Sequence, residues 1–124
     1  MYGNAKKSSA AALRSAERRR REDEAPRLAS EVPGLVSLRI EIVEYLPVGT
    51  TKHVKLVSVE RAPALFVIPC GDSDCYDGDH DITREVLRAL RAGERELRGE
   101  SSCQGSVRSG YCHRRITYLV RVGS

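Results

Sequence analysis

Four cysteines, arriving as two pairs in glycine-rich polar stretches, constrain this 124-residue chain more than any other feature. Cys70 and Cys75 lie in PCGDSDCYDGDHD (69–81), directly after the apolar run ALFVIP. Cys103 and Cys112 bracket QGSVRSGY, just ahead of the last apolar alternation. Each pair therefore falls in a turn beside an expected strand. Two loops offering two thiols each are a common way to complete the tetrahedral Cys/His set that zinc prefers. The N-terminus has no apolar stretch of the kind that directs secretion, so the expected compartment is the reducing cytoplasm, where paired cysteines favour metal over disulfides. Two disulfides, unrelated free thiols, and a redox or catalytic thiol stay open as alternatives.

The plan of two cysteine-bearing loops at strand ends resembles a zinc ribbon, with a helix inserted between the halves, over residues 70–122. The resemblance implies a structural zinc held by Cys70, Cys75, Cys103 and Cys112, in a module that binds nucleic acid or protein. The spacings here are C-x4-C and C-x8-C where ribbons usually have C-x2-C. The tight hydrogen bonding of the short knuckle is therefore not expected. His80 and His113 are the substitute ligands, although a surface or neighbouring position is the plainer expectation for each. His53, between Lys52 and Val54, reads as a strand residue.

Asp72, Asp74, Asp77, Asp79 and Asp81 raise the question of calcium. An EF-hand loop needs oxygen ligands at positions 1, 3 and 5, Gly at 6 and Glu at 12, and no register supplies them. These acids read instead as turn formers and helix caps. A zinc deaminase needs H-x-E and P-C-x-x-C; the chain has neither. It also lacks a phosphate loop, a dinucleotide fingerprint and a metalloprotease helix.

Around the loops the patterning is that of a small α+β domain. LVSLRIEIVEY places Leu38, Ile40 and Ile42 on one face, opposite Arg39 and Glu41, the period of a half-buried strand. After the turn LPVGTT, KHVKLVSVE reads as the returning strand of a hairpin. ALFVIP, short and wholly apolar, reads as a buried central strand. DITREVLRALRAG predicts a helix capped by Asp81, with Ile82, Val86, Leu87 and Leu90 inward and Gly93 at its C-terminal cap. ERELRGE is a weak strand, and RRITYLVRV a closing strand with Ile116, Tyr118, Val120 and Val122 on one face. The expected fold is an antiparallel sheet of about five strands, with one well-formed helix between the cysteine loops.

Charge is unevenly spread. Residues 1–30 hold eight Lys/Arg against four acids, and the rest of the chain is balanced. With Leu13 as its one sizeable apolar residue, AKKSSAAALRSAERRRR reads as a frayed helix or a disordered stretch. The expected division is a basic arm, 1–33, and one domain, 34–124, with folded structure starting after Pro33-Gly34. Any attraction to phosphate falls to the arm, and Arg18, Arg19, Arg20 and Arg21 are its candidate nucleic-acid contacts. No apolar run is long enough to span a bilayer. The functional expectation is a zinc-stabilised binding or regulatory module contacting nucleic acid through the arm. The alternatives are a protein-interaction module and, less favoured, a thiol-dependent enzyme.

Overall fold

The computed structural model describes residues 2–72, 75, 78–107 and 110–123, with side chains from residue 12 onward. The elements in chain order are α1 (Tyr2–Glu24), α2 (Leu28–Glu31), β1 (Ser37–Tyr45), β2 (Thr50–Ser58), β3 (Val67–Pro69), β4 (Asp79–Asp81), α3 (Thr83–Arg91), β5 (Glu96–Ser102), β6 (Ser106–Val107), β7 (Gly110–Tyr111) and β8 (Arg115–Gly123). A 3-10 turn at Val59–Arg61 follows β2. The main sheet is antiparallel in the order β2-β1-β8-β5, and β3-β4 and β6-β7 form two separate ribbons. The α+β class read from the sequence is the one observed.

Period-2 patterning accounts for the main sheet. Leu38, Ile40 and Ile42 of β1 and Ile116, Tyr118 and Val120 of β8 are all buried, paired in the register Leu38↔Val122, Ile40↔Val120, Ile42↔Tyr118. Their shared face is covered by Leu28, Val59, Ala64, Phe66 and the inner side of α3. Tyr118 lies across Gly99 of β5, where any side chain would run into its ring and hydroxyl. The closing strand β8 is thus central to the sheet, and the weakly patterned β5 is an edge.

α3 forms as its spacing dictates. Ile82, Val86 and Leu90 are buried, Ala89 joins them, and Leu87 is half-buried. The N-cap position falls on Ile82 rather than the expected Asp81; Asp81, one residue earlier, accepts at Oδ1 from the Thr83 N–H at 3.0 Å, satisfying one of the unpaired donors of the first turn. Gly93, at φ 80°, donates to the Leu90 carbonyl, and Glu94 N–H reaches Ala89, the two bonds of a Schellman ending.

Two expectations are corrected. ALFVIP is not a central strand: only Val67–Pro69 is strand, and it pairs with β4 outside the main sheet. The backbone just before it is engaged elsewhere. Ala64 N–H bonds the Pro26 carbonyl, Phe66 N–H bonds Thr83 Oγ1, and Ile82 N–H bonds the Phe66 carbonyl. The packed structure also reaches further back than Pro33-Gly34, because Leu28 is fully buried in the core and its N–H bonds the Ala62 carbonyl.

Among its described side chains, α1 buries no apolar stripe; Leu13 is 71% exposed. Polar contacts join it to the rest of the chain. Arg14 donates to the Gly78 carbonyl at 3.4 Å, Arg18 pairs with Asp79 at 3.4 Å, and Arg21 pairs with Asp81 at 2.6 Å. Positions 14, 18 and 21 share one helical face. The basic residues of the arm thus follow the backbone that closes the first cysteine loop.

Candidate metal centre

The two short ribbons explain how unusual spacings make a compact site. β3 and β4 pair as Ile68↔His80 and Pro69↔Asp79, so the loop carrying Cys70 and Cys75 is pinched at its base. Cys103 leaves the end of β5 and Cys112 leads into β8; the intervening β6-β7 ribbon folds the C-x8-C segment back on itself. Cys103 N–H donates to Arg114 O at 2.7 Å, extending the β5-β8 ladder, and Cys112 N–H donates to Gly105 O at 2.8 Å.

All four sulfurs lie within 4.8 Å of one another. Cys70 and Cys112 are 3.6 Å apart, Cys75 and Cys103 3.7 Å, so each close pair joins the two loops. A tetrahedron with metal–sulfur bonds of about 2.3 Å has sulfurs roughly 3.8 Å apart. A disulfide needs about 2.05 Å, and all four cysteines are free. The donor set and its spacing fit a metal ion held by four thiolates.

Cys70, Cys75 and Cys103 are buried and Cys112 is half-buried, with Val107 packed against them. This cluster is separate from the main core and, among the described residues, has almost no apolar bulk of its own. Burial pushes the Cys103 thiol up to about 12, against the Gly105 N–H that bonds its sulfur at 3.4 Å. Burial likewise raises Cys70, against the Asp72 N–H that bonds its sulfur. Both loops therefore carry an amide-to-sulfur bond from two residues on, the short-knuckle feature that the long spacings did not predict. Buried, neutral thiols are the opposite of the exposed, low-pKa cysteine of a nucleophilic site. Binding a cation here has to release thiol protons.

The backbone packs tightly around the sulfurs. A Cβ on Gly78 would collide with Cys103 Sγ and come within 2.7 Å of Cys75 Sγ. Gly71 N–H donates to Glu44 Oε2 at 2.8 Å. Glu44 occupies the next core-facing slot after Ile42 and is itself buried. Arg114 lies 3.7 Å from Glu44 and 3.8 Å from Asp72. Glu44 and Arg114 thereby anchor the first loop to the sheet. Neither was singled out from sequence, although an acid in the apolar slot of an alternating strand was a visible signal.

Neither substitute histidine joins the cluster, which among the described residues consists of the four cysteines. His80 is buried in β4, with Nδ1 3.0 Å from Ser101 Oγ and, among the described residues, no partner at Nε2. Burial lowers its pKa, against the nearby Glu44 and Asp79 carboxylates. His113 is exposed, has φ 54° and meets the Tyr111 ring edge-on at 5.7 Å; its left-handed backbone turns the chain from Cys112 into β8. His53 is an exposed residue of β2. Of the five aspartates, Asp81 accepts from the first N–H of α3 and Asp79 pairs with Arg18, while Asp74 and Asp77 lie outside the described residues.

The arm arginines are largely engaged. Beyond the Arg18 and Arg21 pairs, Arg20 bridges Glu17 and Glu24. Exposed Arg19 has no charged partner among the described residues. Among the described residues, no helix is long and apolar enough to cross a membrane. Comparison with family models, curated proteins and solved structures finds no match to this chain.

Proposed function

We propose that this chain is a small zinc-stabilised, zinc-ribbon-like binding module whose partner is a protein. The observation that carries the reading is the closure of Cys70, Cys75, Cys103 and Cys112 to within 4.8 Å, at tetrahedral spacing, in a cluster with little hydrophobic packing of its own. Four soft sulfur donors favour zinc over calcium or magnesium. Four protein ligands also leave no position for a substrate, as in structural rather than catalytic zinc sites. The metal's role is to hold two loops that are too polar to pack by themselves.

The choice of a protein over nucleic acid follows from the arginines. Arg18 and Arg21 are paired with acids of the folded body, and Arg20 with acids of its own helix, so three of the four arginines in the 18–21 run are engaged within the chain. The experiment is anisotropy of a labelled random-sequence oligonucleotide across a salt series. Weak binding, unchanged on deleting residues 1–24, supports the protein reading. Tight binding with a steep salt dependence, lost with the arm, replaces it with the nucleic-acid one.

A further inference from the structure

β2 is a free edge of the main sheet, pairing with β1 alone, in an unbroken register from Ser37↔Ser58 to Tyr45↔Thr50. Along its other side, alternate backbone N–H and C=O groups have no strand partner among the described residues. Natural edges are commonly blunted by proline, bulges, brevity or charged side chains, and of these devices β2 has its lysines, Lys52 and Lys55. This one has nine residues, no proline and no break in its ladder, and it exposes Val54 (54%) and Leu56 (75%).

Beside that edge lie two cavities that meet at Lys55. One, of about 350 Å³, has Ile42, Ile68 and Ile116 among its walls and Glu44 and His53 as polar groups. The other, of about 320 Å³, runs past Val57 to Leu65 and Phe66, with Arg61 and Glu22 beside Lys55 as its charged groups. In an extended peptide, side chains on one face recur about every 6.8 Å, the same step that separates Lys55 from Val57. A strand laid along β2 places alternate side chains toward the two cavities while its main chain extends the ladder, the recognition mode known as β-augmentation.

Charge selects the occupant. β2 carries Lys52, His53 and Lys55 and no acid. A second copy pairing through its own β2 brings these basic residues together, and like charges set opposite each other destabilise a strand pair. An acidic strand is complementary.

We propose that β2 and the trough beside it bind an extended acidic segment of a partner protein, with apolar residues at alternate positions, as a fifth strand of the main sheet. This rests on the reading of the chain as a protein-interaction module and assigns the face that the module uses.

The test titrates the full-length protein, isotope-labelled and as purified, with a synthetic peptide of alternating Glu and Val, followed by amide NMR shifts. A Lys-Val peptide is the control. The expected result is saturable shifts in residues 50–58 and 64–71 with the acidic peptide alone. The K52E/K55E variant, whose changes are on exposed positions and leave the remaining spectrum in place, should weaken binding roughly tenfold or more. Shifts confined to α1 or β5, equal binding of both peptides, no binding at millimolar peptide, or a β2-mediated dimer in sedimentation would each overturn the assignment. Such a failure removes this surface alone; the choice of protein over nucleic acid stands or falls on the oligonucleotide measurement.

Discussion

Gly78 and Gly105 face each other across the thiol cluster with no room for a side chain on either. A Cβ on Gly105 would sit 2.5 Å from Gly78 Cα, Gly78 N and Cys75 Sγ, and real Cβ atoms essentially never approach below 3.0 Å. The two loops therefore meet backbone to backbone, and this close approach lets four sulfurs converge. Gly78→Ala and Gly105→Ala should each destabilise the protein by about 1–3 kcal/mol through overpacking. Both should also weaken metal binding, as read by competition with a chromogenic chelator. Wild-type affinity in either variant would mean that the loops are not apposed as described.

The α1 arginines should matter more to metal retention than to global stability. The Arg21–Asp81 pair is 37% and 43% exposed and the Arg18–Asp79 pair 24% and 20%, so each is worth roughly 0–1 kcal/mol. Both acids belong to β4, which closes the first cysteine loop. R18E/R21E should lower the melting temperature by only a few degrees while speeding chelator-driven metal loss several-fold. High salt should move the wild type toward the variant. Identical release rates would detach α1 from the loop.

Asp81, one residue ahead of the N-cap Ile82, combines a bond from the first helical N–H with an ion pair. Burial raises its pKa, but hydrogen bonds from Thr83 and Arg21 outweigh that and hold it below the ordinary 3.8. A carboxylate depressed in the folded state contributes stability above its unfolded value and loses it as pH falls through the folded value. Asp81→Ala should cost about 1 kcal/mol at neutral pH. That cost should shrink below roughly pH 4, where the wild type loses the same contribution. Denaturant melts of both proteins at neutral and acid pH check this.

His80 gives a second, separable pH dependence. Its folded pKa is lowered from 6.5 by burial, against Glu44 and Asp79, so the unfolded chain binds the proton more readily. Stability should therefore fall as pH drops below about 6.5. The metal site also weakens in acid, so the comparison uses His80→Phe at matched metal content. The part of the decline just below 6.5 should vanish in that variant, whose baseline stability is reduced by the lost Ser101 contact. An unchanged decline would assign it to other groups.

What the sequence revealed divides by range. β1, β8 and α3 were legible because burial follows local period: Leu38, Ile40 and Ile42, then Ile116, Tyr118 and Val120, then Ile82, Val86 and Leu90. The four cysteines were legible as a set because nothing else in the chain would place thiols in two polar turns. The fate of ALFVIP was not, since its backbone partners are Pro26 and residues 79–83, and hydropathy carries no information about them. Gly78 and Gly105 read as ordinary turn residues until the loops are placed together. The arm arginines looked free because their acidic partners at 79 and 81 lie about sixty positions away.

The central claim is that the four cysteines hold one structural zinc. Its most direct measurement is elemental analysis of the purified chain combined with a thiol count under native conditions, before and after adding a chelator. The account predicts about one zinc per chain and four thiols that resist alkylation until the chelator removes the metal. No bound metal, with four thiols alkylated at once or none found because two disulfides have formed, would contradict it.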